Sequence, residues 1–180
     1  MVAYAAFLGA DMNLVPGWHP VVVHFPIALT LTAGLSLILA KLVRPQSLAE
    51  TLATVGTWNL CAGAATALFA LATGLAGVLD LSVGAAAHAA ISTHVKWAIF
   101  TSMALLLTSV WRGAGTPSRS RPSWLFVIVL SAVCAALILT GLFGADNVYR
   151  YGVGVEHTAS FKPAGFRVNC AQENPPMELG

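Results

Sequence analysis

The stretch Ser123–Gly144, SWLFVIVLSAVCAALILTGLFG, runs for 22 residues without an Asp, Glu, Lys or Arg. About 20 such residues wound as an α-helix cross the hydrocarbon core of a bilayer, so this segment predicts a transmembrane helix. Three more spans appear on working outward from it. The first runs from Pro20 to about Leu42 and is closed by Lys41 and Arg44. The second extends from about Leu52 to Leu79 and stops at Asp80, and the third spans roughly Ala89 to Trp111 and ends at Arg112. Trp18, Trp58, Trp111 and Trp124 fall at span ends, where indole rings prefer the headgroup layer. Connections of about ten residues make successive helices antiparallel neighbours. The expected fold is an all-α integral membrane protein whose four transmembrane helices form an up-down-up-down bundle, with helices 1 and 3 diagonal. Residues 1–19 form an N-terminal segment, 20–144 the bundle and 145–180 a polar C-terminal tail holding Pro163, Pro175 and Pro176.

Composition agrees. Charged residues make up 9% of the 180, against roughly 25% in a soluble protein. Hydrophobic residues are 57% and the mean hydropathy is +0.78, which excludes an ordinary soluble enzyme and a disordered chain. A net charge of +2 from nine scattered Lys and Arg leaves no basic stripe, so nucleic acid is not a partner. The first partner is the lipid bilayer. Cys61 and Cys134 lie in apolar runs, Cys170 stands in the tail, and none forms a CxxC or CxxCH motif, so covalent c-type haem and thiol pairs are not expected. The apolar N-terminus carries no Lys or Arg, which argues against a cleaved signal peptide.

Loop charges set the expected orientation. The loops after helices 1 and 3 hold Lys41, Arg44, Arg112, Arg119 and Arg121, while Asp80–His88 and the N-terminal segment hold neither Lys nor Arg. The positive-inside rule then puts both termini in the periplasm of a bacterium, with the protein in its inner membrane. The tail is expected to bind other subunits of a membrane or periplasmic redox complex. Helix 2 carries Gly56, Gly63, Ala67, Ala70, Gly74 and Gly77 near small-xxx-small spacing, which suits close helix packing.

All five histidines fall on the outer side of this topology: His19, His24, His88, His94 and His157. His24 lies about 6 Å into helix 1 and His94 about 7.5 Å into helix 3, so two imidazoles at matching depth can face each other across the bundle. Ionisable groups at membrane depth point to function, and bis-imidazole ligation of haem b is the chemistry this pair suits. Zinc or copper normally needs three or four protein ligands, and His88 and His94 stand about 240° apart on a helix, unlike the i, i+4 pairs of helical zinc sites. Hydrogen-bonded packing is the alternative role for both. Lys96, and Arg150 with Tyr149 folding over as a lid, would meet the propionates; snorkelling and interfacial anchoring are the alternatives. Gly74 and Gly77 are expected to leave room for the macrocycle.

Two motifs carry a family resemblance: HPVVVHFPIAL (His19–Leu29) and GADNVYRYGVGV (Gly144–Val155). With them the chain, over roughly His19 to Val155, resembles the bacterial membrane family named domain of unknown function 2231. The positions that match are His19, Pro20, His24, Pro26, His94, Tyr149, Gly152 and Gly154. The resemblance implies a four-helix membrane module; some members are fused to, or encoded beside, c-type cytochromes and periplasmic redox modules, which favours electron transfer by association. The sequence departs from the family pattern from Glu156 onward. Gly152 and Gly154 allow positive φ and a sharp turn.

Taken together these features predict a small membrane subunit: a b-type cytochrome or haem-bearing anchor passing electrons between quinone and a periplasmic partner. The alternatives are a cofactor-free scaffold subunit of a larger complex, and a small sensor or transporter using the histidines for metal or protons. No nucleophile–base pair or phosphate loop appears, so independent catalysis is not expected.

Overall fold

In the computed structural model, residues 14–79, 83–115 and 117–154 are described. Five helices are found among them: α1 (Leu14–Val22), α2 (His24–Leu42), α3 (Gln46–Leu79), α4 (Ala85–Gly115) and α5 (Trp124–Tyr151). Pro26 has no N–H to give the carbonyl of Val22, so the hydrogen-bond ladder lapses at Val23. Val23 keeps helical angles (φ −61°, ψ −22°), and α1 and α2 therefore continue one span, Trp18–Leu42. Four segments are long and apolar enough to cross a membrane. The first span packs on α3 and α5, and α4 packs on the same two, while α2–α4 and α3–α5 make no backbone approach. That is the expected ring of antiparallel neighbours with helices 1 and 3 diagonal.

The last three spans run longer than expected, the third by about one turn at each end, Ala85–Gly115. The second span begins at Gln46 because a polar first turn, closed by Gln46 Nε2 donating to Glu50 Oε1 at 2.9 Å, can wind outside the apolar layer. The fourth does not stop at Gly144. It continues to Tyr151, where Asp146 and Arg150 pair across one turn at 3.1 Å. Ser123 starts α5 by accepting from the Phe126 N–H, and Gly152 (φ 64°) ends it. The Gly152 N–H donates to the Val148 carbonyl, the 5→1 bond of an αL ending, and the Val153 N–H reaches back to the Asn147 carbonyl. Positive φ at Gly152 and Gly154 agrees with the sequence reading. The remainder of the tail, from Val155, lies outside the described residues.

The first span and α3 lock at three glycines. A Cβ built on Gly56 would stand 2.6 Å from Leu37 Cγ, on Gly63 2.8 Å from Thr30 Oγ1, and on Gly74 2.8 Å from His19 Cε1. Going up α3 the intervals are seven residues and eleven, and the partners descend by the same steps. Seven and eleven residues are both close to whole helical turns, so one straight seam runs the length of the contact. Elsewhere Leu37, Leu60, Leu105 and Leu130, one from each span and each at most 1% exposed, pack in the core toward the end that Arg112 closes. Beside them Thr57 and Thr108 turn their hydroxyls back onto the carbonyls of Ala53 and Ala104.

The opposite end from the histidines is closed by Arg112, 2% exposed. Its Nε donates to Thr57 Oγ1 at 3.1 Å and its Nη2 to the carbonyls of Ser118 (3.1 Å) and Ser120 (2.6 Å). The guanidinium thereby ties the α4–α5 connection to α3, and it lies 5.9 Å from the centre of the Phe126 ring.

Gly63→Leu should break the seam, lowering stability by about 1–3 kcal/mol as overpacking does. Gly141→Ala, where an added Cβ meets nothing within 4 Å, should be neutral or slightly stabilising. Thermal unfolding of the two variants in detergent, monitored by circular dichroism, checks the contrast.

Candidate functional site

The buried seam of the first span fixes which histidine faces inward. His19 lies 18 residues, about five whole turns, from Leu37, so it shares the face that packs on α3. His24 stands five residues further along, about 140° around the helix, and is exposed. The structure therefore does not set His24 opposite His94; His19 occupies the inner position on the first span. Depth alone suggests His24, whereas azimuth turns His19 inward.

His19 is half-buried. Its Nδ1 lies 3.0 Å from the Ala70 carbonyl and 3.3 Å from Thr73 Oγ1, and its ring lies against Gly74. The Thr73 hydroxyl donates to that same Ala70 carbonyl at 2.9 Å. Gly74 is thus filled by an imidazole instead of being left open. His94, also half-buried, has Nδ1 at 3.1 Å from the Thr140 carbonyl and its ring against Gly144, where a Cβ would come within 3.0 Å of Cε1. The Thr140 hydroxyl donates to Ala136, so the Thr101 hydroxyl must be the donor in the 2.9 Å contact between Thr101 and Thr140. This pins α4 to α5 two turns from His94.

Both imidazoles meet a backbone carbonyl through Nδ1. A carbonyl can only accept, so Nδ1 carries the hydrogen, and in the neutral ring Nε2 keeps its lone pair. A carbonyl bonded to Nδ1–H orients a metal-ligating histidine in this way. The two rings come from diagonal spans, His19 from α1 and His94 from α4. Gly74 and Gly144 are the cradles; any side chain at either position would push a ring away.

The other expected contributors sit elsewhere. Lys96 is exposed on α4, and His88 is exposed at that helix's start. Arg150 is engaged by Asp146, and Tyr149 is 90% exposed on the continuing helix, so it does not fold over as a lid. It lies two residues from buried Asn147, which turns it to the opposite side of α5. His157 lies outside the described residues.

Asn147 is the residue that charge and depth arguments passed over. It is 5% exposed, and its Oδ1 has no hydrogen-bond partner. It follows Thr140 by seven residues and Gly144 by three, on the face of α5 that holds His94. The helical spacing of Thr140, Gly144 and Asn147 was the available signal. Among the described residues, no group of three or more His, Cys, Asp or Glu gathers as a metal site, so the arrangement is a pair of imidazoles and an amide.

Fold and site together define a four-span integral membrane protein with a histidine pair at one end of its bundle. The chain belongs to the family described as "Predicted membrane protein (DUF2231)", whose model matches residues 16–157. No curated protein and no solved structure matches it.

Nitrogen-15 NMR of histidine-labelled protein should find His19 and His94 as the Nδ1–H tautomer at neutral pH. Thr73→Val should leave that tautomer in place at His19, because the Ala70 carbonyl still accepts. An Nε2–H tautomer at either ring would contradict the hydrogen bonds described.

Proposed function

We propose that this protein is a membrane-embedded haem b carrier whose two axial ligands are His19 and His94. The observation that carries the reading is the matched pair itself: two half-buried imidazoles on diagonal spans, each with Nδ1–H held by a neighbouring carbonyl and an Nε2 lone pair free. The donor set fits haem, because two neutral imidazoles complete a six-coordinate iron, whereas zinc would need further protein ligands. When bound, the haem supplies one-electron transfer. The chain's residues hold it, with the carbonyls of Ala70 and Thr140 fixing ring orientation. Gly74 and Gly144 let the rings sit close to their helices.

The leucines buried in the core between the spans argue against protons or ions moving along the bundle axis. Electron exchange at the histidine end is favoured over transport through the molecule. Lys41, Arg44, Arg112, Arg119 and Arg121 gather at the other end, so the positive-inside rule puts the histidine end and both termini in the periplasm of a bacterial inner membrane. There a soluble redox subunit or a larger complex would meet the tail.

Spectra of purified protein, oxidised and dithionite-reduced, should show a six-coordinate low-spin b-type haem. His19→Ala and His94→Ala should each abolish or severely alter it, while His24→Ala should leave it unchanged; a spectrum lost with His24 instead would reinstate the pairing read from depth. Protein with neither a Soret band nor bound metal would favour a cofactor-free scaffold, the histidines then serving as packing residues. Orientation is checked separately. Reporter fusions at Gly115 and Gly180 should report cytoplasm and periplasm respectively, and a cytoplasmic signal at Gly180 would reverse the assignment.

A further inference from the structure

The end of the bundle opposite the histidines carries a charge that its own side chains do not balance. Lys41, Arg44, Arg119 and Arg121 meet no carboxylate among the described residues, and Glu50, the single acid in the two loops there, is engaged by Gln46. Beside the start of α5, on its α2 side, Lys41 Nζ lies 5.4 Å from the centre of the Trp124 ring and Arg121 Nη2 donates to the Arg44 carbonyl at 3.1 Å. On its α4 side lies a cleft of about 50 Å³, lined by Trp111, Arg112, Ser123 and Phe126. The two rings of the cleft meet edge to face, with centroids 5.3 Å apart. Arg112 forms its charged wall. Ser123 Oγ spends a lone pair on the Phe126 N–H and keeps its hydroxyl hydrogen to donate. The cleft therefore combines a cation, a hydroxyl donor and an apolar floor, in a space for only a few atoms the size of water. From it an apolar strip leads along α4 into the bilayer. Trp111, Leu107, Met103 and Phe100, each 42% or more exposed, follow one another at helical intervals on one face.

We infer that this cleft holds the phosphate of an anionic phospholipid, whose acyl chain lies along the α4 strip. Both halves of the site are needed for that choice. A zwitterionic lipid carries its own cation and gains less from the excess positive charge, whereas free phosphate has nothing for the strip to hold. The exposed cations gather anionic lipid around this end, and Arg112 with the Ser123 hydroxyl seats one molecule of it. The lipid site needs neither haem nor a particular direction of insertion.

The test titrates the purified full chain in detergent, read by native mass spectrometry, with phosphatidylglycerol and with phosphatidylcholine of the same acyl chains. One phosphatidylglycerol should bind about tenfold tighter than phosphatidylcholine. Ser123→Asp and Ser123→Asn both keep a side-chain oxygen to cap α5, so both should fold, which thermal melts check. The aspartate sets a carboxylate against the phosphate and should weaken phosphatidylglycerol binding about tenfold or more. The asparagine has an N–H to donate and should weaken it less than about threefold. Arg44→Gln makes the same change in net charge on the far side of α5, and it too should cost less than about threefold. Equal effects of Ser123→Asp and Ser123→Asn would overturn the site. So would equal effects of Ser123→Asp and Arg44→Gln, which would leave only a diffuse attraction to the charged face. Phosphatidylcholine binding as tightly as phosphatidylglycerol, or displacement of the lipid by millimolar inorganic phosphate, would overturn the choice of an anionic lipid.

Discussion

The contact between the first span and α3 is a backbone contact, and its closeness governs everything above it. In a bilayer there is little hydrophobic gain in bringing two helices together, because lipid tails are as apolar as leucine; association relies on close packing and hydrogen bonds. Gly56, Gly63 and Gly74 remove the side chains that would hold the helices apart, and Leu37, Thr30 and His19 occupy the space. One consequence is rotational. With three contacts spread over 18 residues in a single line, neither helix can turn about its axis without losing all of them. The direction in which His19 points is thus set by Leu37, about 27 Å away at the helical rise.

That coupling explains which features were legible in the sequence. The four spans were plain because their signal is additive: uncharged residues accumulate over twenty positions, and errors at the ends do not alter the sum. The alternation of neighbours followed from short connections. Boundaries were less secure, since polarity marks where the apolar layer stops and not where hydrogen bonding stops. Gln46–Glu50 and Asp146–Arg150 wind as helix beyond the apolar stretch because side chains one turn apart support it.

The geometry of the histidine end was half-legible. His94 was found from depth, and it does face inward. His24 was matched to it by depth as well, but depth fixes only one of two helical coordinates. The other was available: residues 19, 30 and 37 repeat at intervals close to whole turns, opposite glycines in α3 that repeat in reverse order. Asn147 escaped for a different reason. It sits in a segment that reads as a polar tail, and only the continuation of α5 to Tyr151 brings it back into a packed interface. Arg112 escaped likewise, since a cation at a span end reads as a flank until the carbonyls of Ser118 and Ser120 are seen to wrap it.

The buried leucines have an electrical meaning. Leu37, Leu60, Leu105 and Leu130 are apolar and each at most 1% exposed, so the part of the core they fill polarises weakly, like the hydrocarbon around it. A charge gained or lost beside His94 is then poorly shielded within the protein and must be compensated locally, at the aqueous surface nearest it. The Arg112 end, for its part, keeps a permanent positive charge that nothing at the histidine end can neutralise. A buried cation and a pair of imidazoles are thus held apart by a core of low polarity.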